Sequence, residues 1–271
     1  MLENTYGIAK RFGFVAGVID RLQPDRVLDI GCGTGTNLTK PLAERFPCTT
    51  FVGMDSDPAS VDFANREDCP ANARFHLDGE LSDPGYFDLV IASEVIEHVE
   101  DPDAFLAFLR ERLTPGGMLL LTLPNGLGPF ELASLAETLM HLTGIYAVLR
   151  WIKRRLRGQA IATTAADTLA ISPHINFFSL RSIRSAIAFA GFEIVESRPR
   201  TLLCGFGFDQ LLTSSRMIKW NTEVADRVPM SFASAWMFLL KPAAPASAEA
   251  YHRGAYAQLR RFLNEKRWHL R

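Results

Sequence analysis

RVLDIGCGTGTN, residues 26–37, is the stretch whose reading decides the fold. Its opening RVLDI reads as a buried strand, and Gly31, Gly33 and Gly35 follow at alternate positions. A strand that runs into a tight glycine turn and then a helix is the usual way an α/β sheet binds a nucleotide-like ligand. Glycines let the backbone come close to the ligand, and the helix N-terminus offers unpaired N–H groups. An acid about 20 residues further on, ending the second strand, would accept hydrogen bonds from a ribose. Asp55 in FVGMDSD stands there. Position 36 is Thr where a dinucleotide fold wants its third glycine, so the spacing suits a ligand without a pyrophosphate and disfavours a nicotinamide-dependent dehydrogenase. A glycine turn without any ligand is the competing reading, and Asp55 weighs against it.

The surrounding sequence alternates two periods. Ile8, Phe12, Val15, Ile19 and Leu22 fall at helical spacing behind Asn4, a candidate N-cap. After RVLDI, NLTKPLAERF predicts a helix with Pro41 in its first turn, TTFVGMD a strand, and DPASVDFANR a helix opening on Asp57 and Pro58. ARFHL and YFDLVIAS predict two further strands, DPDAFLAFLRERL an amphipathic helix, TPGG its stop, and MLLLTLP a fifth strand. That alternation implies βαβ units and a mostly parallel sheet covered on both faces. Beyond Pro124 the rhythm changes: residues 126–172 predict an all-helical, partly basic insertion. A helix stopped by Gly191, a strand EIVESR, an irregular link of about 30 residues and a last apolar strand SFASAWMFLL follow.

Composition sets wide bounds. The chain has 271 residues, 48% hydrophobic and 22% charged, which suits one large domain with a substantial core. A net charge of −1 gives no global attraction to nucleic acid. Cys32, Cys48, Cys69 and Cys204 form no CxxC pair, which argues against a disulfide framework or zinc knuckle and fits a reducing compartment. No signal peptide is evident, and no run reaches the ~18 apolar residues of a membrane span. The expectation is a cytoplasmic protein.

Taken in order, VLDIGCGTG, GMDSD, FDLVIASEVIEHVEDP and LTPGGMLLLTLPN resemble the successive motifs of class I S-adenosylmethionine-dependent methyltransferases, the ubiquinone O-methyltransferase-like group among them. The resemblance covers residues 26–124 and resumes at HINFFSLRSIRSAIAFAGFEIVE. It implies a Rossmann-like seven-stranded sheet of order 3-2-1-4-5-7-6 with strand 7 antiparallel, and S-adenosylmethionine as cofactor. By position, Gly31, Gly33 and Gly35 would line the methionine end, Asp29 would orient its amino group, and Asp55 would hold the ribose. Asp78, with Glu80 as the other candidate, would meet the adenine amine. Cys32, Ser56, Gly79, Ser93 and Glu94 complete the expected cofactor contacts.

SEVIEHV, after the fourth strand, carries Glu94, Glu97 and His98, which share one face of a helical turn. Three readings stay open. The side chains could simply shape the pocket, with Arg110 or Arg112 neutralising the carboxylates. His98, the candidate catalytic residue, could act as general base toward an acceptor hydroxyl. Or Glu94, Glu97, His98 and His174 could hold Mg²⁺, since the ExxEH arrangement is similar to that of ubiquinone-pathway O-methyltransferases and small-RNA 2′-O-methyltransferases. The absence of an NPPY-like stretch at ASEV also favours an oxygen acceptor.

Leu132, Leu135, Leu139, Leu142, Tyr146, Leu149, Ile152 and Leu156 predict an apolar helical stripe packed on the domain, broken at Gly144 and ending in the cations Arg150, Lys153, Arg154, Arg155 and Arg157. Such an insertion would build the acceptor pocket, with Phe130, Phe177 and Phe178 as apolar wall. The chain thus divides into a methyltransferase domain over residues 1–241, with a helical lid at about 126–172, and a linker with a basic C-terminal helix over 242–271. The expected acceptor is the hydroxyl of a small, saccharide or lipid-linked molecule. The basic helices suggest peripheral contact with an anionic membrane face. RNA is the alternative acceptor, disfavoured for want of a visible stacking platform. A cofactor-binding module without turnover is the rival from outside enzymes.

Overall fold

In a computed structural model, the described residues are 5–268 except 67, 81–84, 147, 149–172, 206 and 246. Asn4, Leu149, Ile152, Leu156 and the cations from Arg150 to Arg157 therefore lie outside the described residues. The elements run α1 (Thr5–Leu22), β1 (Arg26–Ile30), α2 (Thr39–Arg45), β2 (Thr50–Asp55), α3 (Pro58–Arg66), β3 (Ala73–Leu77), β4 (Phe87–Ser93), α4 (Pro102–Glu111) and β5 (Leu113–Pro124). Then come α5 (Pro129–Leu142), α6 (Leu180–Phe189), β6 (Phe192–Pro199), α7 (Phe208–Leu211), α8 (Ser215–Ala225), a 3₁₀ turn (Met230–Phe232), β7 (Ala235–Pro242) and α9 (Ala255–Arg267).

The strands form one seven-stranded sheet of order β3-β2-β1-β4-β5-β7-β6, as the resemblance implies. β3, β2, β1, β4 and β5 pair in parallel, and β7 runs antiparallel to both β5 and β6. Alternate residues of each strand enter opposite cores. Leu28, Val90, Leu119 and Leu121 pack with Leu106, Leu109, Ile183 and Ile187 of α4 and α6. Val27, Leu89, Ile91 and Leu120 pack with Val15, Ile19, Leu42 and Val61 of α1, α2 and α3. Covering on both faces explains why the central strands are apolar without alternation.

Local signals fix the helix ends. Asp101 caps α4 by accepting from the N–H groups of Asp103 and Ala104, at 3.1 and 3.0 Å. Ser179 and Ser182 form a capping box at α6, and Gly191, at φ +76°, ends it.

Three expectations are corrected. TPGG does not precede β5 but lies inside it as a bulge: Leu113 pairs with Phe87, and the register shifts before Met118 meets Leu89. The irregular link contains α7 and α8; Ser214 caps α8 by accepting from the Met217 N–H, a signal the sequence carried. The stripe on α5 faces outward, with Leu132, Leu139 and Leu142 at 52, 44 and 44% exposure, while Glu131, Ala133 and Thr138 are buried. Ionic and polar contacts to α9 decide that orientation: Arg260 reaches Glu131, and Arg267 reaches Glu137 and Thr138.

Candidate functional site

The glycine turn hangs from the end of β2. Gly31 and Cys32 both donate their N–H to the Met54 carbonyl, at 2.7 and 3.1 Å. Gly31 (φ +70°) and Gly35 (φ +68°) adopt left-handed backbone, and a Cβ on Gly31 would enter Val95 while one on Gly35 would come within 2.6 Å of the Phe75 ring. The first contact joins the two motifs, because Val95 belongs to the polar turn after β4.

Asp55 accepts the Gly33 N–H at 2.8 Å through one carboxylate oxygen and the Asp57 N–H at 2.9 Å through the other. It therefore braces the turn that would meet the ribose. Ser56 follows, exposed. Asp29 is buried and accepts from the Thr39 hydroxyl with Oδ2, while its Oδ1 has no hydrogen-bond partner among the described residues. Burial pushes its carboxyl up to about 7, against the pull of Thr39 and Arg11. Burial, with Asp29 and Asp55 nearby, likewise raises the Cys32 thiol. At the end of β3, Asp78 and Gly79 are exposed; the Glu80 carboxylate turns back to accept the Leu77 N–H, whereas no partner among the described residues takes the Asp78 side chain.

Glu94 leaves β4 at φ +59°, a conformation a glutamate adopts only when its surroundings hold it there. Its carboxylate accepts from the Thr122 hydroxyl at 2.8 Å and from Arg200 Nη2 at 3.0 Å. Burial opposes its charge, but Arg200 and Arg11 outweigh it and hold the carboxyl down at about 2. Ser93 joins the same network, accepting from Arg11 Nη1 and bonding the Thr122 hydroxyl. Arg11 and Arg200 thus take the neutralising role expected of Arg110 and Arg112. Arg110 instead donates to the Ala243 carbonyl, and Arg112 stacks on Phe108.

The other polar residues of the turn meet a second segment. The Glu97 carbonyl accepts the N–H groups of Ile175 and Asn176, both at 2.9 Å, and the Asn176 amide donates to the carbonyls of Ile96 and Val99. This pairing brings His174 to His98, their ring centroids 4.8 Å apart and edge to face. Ligand atoms of Glu97, His98 and His174 all lie within 4.8 Å of one another. Glu97 is wholly buried, and neither carboxylate oxygen has a hydrogen-bond partner among the described residues. His98 Nδ1 meets the Pro173 carbonyl, which assigns the proton to Nδ1 and the lone pair to Nε2. His174 Nδ1 likewise donates, to Glu131.

Charge follows packing. Burial, reinforced by Glu94, raises the Glu97 carboxyl to about 8. Burial and the neighbouring His174 lower His98 to about 4. Burial also opposes a charge on His174, but Glu131 prevails and lifts it to about 9. Glu94 stands apart from this trio, held by Arg200. Phe130 and Phe177 flank His174, at 5.9 and 6.5 Å between ring centroids. Phe178 does not line the site: it is buried in the core against Tyr251.

Arg11, Arg200, Glu131 and Arg260 were missed by sequence reasoning. Arg11 and Arg260 carried a signal, since each interrupts the apolar stripe of its helix; nothing around Arg200 marked it.

The sheet order, the glycine turn braced by Asp55 and the polar turn packed on it define a class I S-adenosylmethionine-dependent methyltransferase. The sequence model of a methyltransferase domain family matches residues 8–197, and the chain belongs to that family. Over 210 residues it is 32% identical to a ubiquinone biosynthesis O-methyltransferase of Azorhizobium caulinodans, covering 75% of this chain and 70% of the relative. It is 38% identical over 111 residues to a trans-aconitate 2-methyltransferase of Deinococcus radiodurans, spanning 39% of this chain and 42% of that protein's length. Among solved structures, an S-adenosylmethionine-dependent methyltransferase from Clostridium acetobutylicum shares the fold at 14% identity and a TM-score of 0.53, covering 89% of this chain and 94% of that one.

Proposed function

We propose that the chain methylates a hydroxyl of a small amphipathic acceptor, with Glu97, His98 and His174 holding a divalent metal ion beside the acceptor oxygen. The observation that supports this most is the Glu97 carboxylate, wholly buried with both oxygens unpartnered among the described residues. Such burial is costly unless the charge finds a partner, and a cation between Glu97 and the two imidazoles would be one. The donor set fits: two imidazoles, each with Nδ1 engaged by an oxygen, and one carboxylate. It suits Mn²⁺, Co²⁺ or Zn²⁺ better than the Mg²⁺ of the sequence reading, because Mg²⁺ prefers oxygen ligands. A cation bound there would polarise the acceptor oxygen and lower its pKa.

The chain's own residues supply the rest. Asp29 and Asp55 would orient the cofactor's amino group and ribose, and Val95 packed on Gly31 fixes the polar turn against the cofactor loop. In-line displacement at a sulfonium needs mainly positioning and exclusion of water. His98 alone is a poor general base, since burial leaves its imidazole a weak proton acceptor, at about 4. The relative from Azorhizobium, an O-methyltransferase by name, supports an oxygen acceptor. Phe130 and Phe177 beside His174, with the exposed leucines of α5, support an apolar portion in that acceptor and the finer reading of a lipid-linked molecule met at a membrane surface.

The test is turnover of S-adenosylmethionine over a panel of prenylated and unprenylated catechols, a glycolipid, trans-aconitate and short RNA. Each is run after EDTA treatment and after adding back Mn²⁺, Co²⁺, Zn²⁺ or Mg²⁺. Metal-dependent methylation of an amphipathic hydroxyl is the expected result; a full rate in EDTA would refute the metal, and exclusive turnover of RNA would refute the acceptor class.

A further inference from the structure

The C-terminal helix α9 lies beyond residues 8–197, the span of the family match, yet it touches the candidate site through several side chains. Arg260 is 1% exposed, and its Nη2 donates to Glu131 Oε2 at 2.7 Å. Its guanidinium lies 4.8 Å over the Phe177 ring, while Nε and Nη1 have no hydrogen-bond partner among the described residues. The other oxygen of Glu131 meets His174 Nδ1. The Asn264 amide of the same helix donates to the His174 carbonyl at 3.0 Å. Arg253, just ahead of α9, donates to the Asn176 side chain and the Glu100 carbonyl, and Arg261 grips the Glu100 carboxylate at 2.7 and 2.8 Å. Both segments that bring His98 and His174 together are thus held from one helix.

A buried ion pair with idle N–H groups is a poor way to add stability, because desolvation offsets the attraction. What it does fix is direction. A carboxylate with one oxygen on Arg260 and the other on His174 Nδ1 has one orientation, and it fixes which ring nitrogen donates to it and the ring plane in turn.

We propose that Arg260 is a positioning residue for the acceptor-side site, acting through Glu131 to hold His174 with Nε2 facing Glu97 and His98. The inference rests on reading those three side chains as that site. It makes the C-terminal helix part of the methyl-transfer machinery and not an appended basic tail.

The test uses the full chain and two readouts. Histidine-ring ¹H–¹⁵N spectra report the hydrogen-bonded Nδ1–H of His174, and Mn²⁺ titration followed by the electron spin resonance of the free ion reports metal affinity. Arg260→Met should displace or broaden the His174 Nδ1–H signal and weaken Mn²⁺ binding 10- to 100-fold, with S-adenosylhomocysteine affinity within about two-fold of wild type. Lys266→Met, which removes an exposed cation of the same helix that lies over the Phe262 ring, should leave both readouts as in wild type. If Arg260→Met fails to fold, Glu131→Gln carries the test with the same expected changes. An unchanged His174 signal in the folded variant would overturn the proposal, as would equal changes in Arg260→Met and Lys266→Met. If wild type binds no Mn²⁺, the metal reading fails by itself, and the ring spectra still decide the role of Arg260.

Discussion

Asp29 should make the ligand-free protein less stable as pH rises, and its removal should stabilise the fold while weakening cofactor binding. The carboxyl ionises at about 7 in the fold against 3.8 when solvated, chiefly because it is buried. For an acid whose folded pKa is raised, the contribution to stability is fully present below the unfolded value and is lost as pH climbs through the folded one. With each pKa unit equal to 1.36 kcal/mol, the loss between pH 5 and pH 8 comes to about 2.5 kcal/mol. Asp29→Asn keeps an acceptor for the Thr39 hydroxyl but has no proton to lose. Urea unfolding at pH 5, 6, 7 and 8 should therefore show the stability difference, variant minus wild type, growing with pH toward that figure. Taking the difference cancels the titrations of Glu97, His98 and His174. Calorimetry with S-adenosylhomocysteine should show the reverse ranking, with the variant about 1.5–3 kcal/mol weaker for want of a charged partner to the amino group. A stability difference independent of pH would refute the burial argument. Unchanged affinity would refute the assignment of Asp29 to the amino group.

Asp55→Ala should lower cofactor affinity and fold stability together, by roughly 1–3 kcal/mol each, because the carboxylate braces both Gly33 and Asp57; calorimetry and thermal unfolding separate the two losses. Gly31→Ala should cost about 1–3 kcal/mol of stability and abolish cofactor binding, since its Cβ would enter Val95 at a backbone angle that L-residues resist. Glu97→Gln, by removing an unpartnered buried carboxylate, should raise the melting temperature of EDTA-treated protein and eliminate any response of activity to divalent metal. Leu132→Ser with Leu139→Ser should leave urea stability within about 0.5 kcal/mol, both side chains being exposed, while raising KM for an amphipathic acceptor but not for S-adenosylmethionine.

The sheet was legible because its signals are local and repeated. RVLDI, TFVGMD, FDLVIAS and MLLLTLP are apolar runs of strand length separated by helical periods, and parallel pairing follows from that alternation. The glycine turn after β1 was legible for the same reason, its glycines and the Asp55 that braces it standing at fixed distances along the chain. The acceptor side was only half readable. Glu97 and His98 announce themselves within four residues of Glu94, but their meeting with His174 depends on backbone bonds from Glu97 to residues 175 and 176. The outward turn of α5 was unreadable from its own sequence, since leucines at helical spacing ordinarily mark the buried face. Here Glu131 finds Arg260 some 130 residues later, and no local pattern records a partner so far along the chain.

The position of β7 also bears on synthesis. The strand that flanks β5 is made last in the sheet, about 110 residues after Pro124 has left the ribosome's catalytic centre. At about 5–20 residues per second, the LLLTLP edge stands open for roughly 5–20 s. β6 emerges in that interval, and its sheet partner in the finished fold is β7. The nascent chain must therefore carry two unfilled strand edges at once, and a chaperone or a pause that shields them would act between the synthesis of Pro124 and that of Pro242.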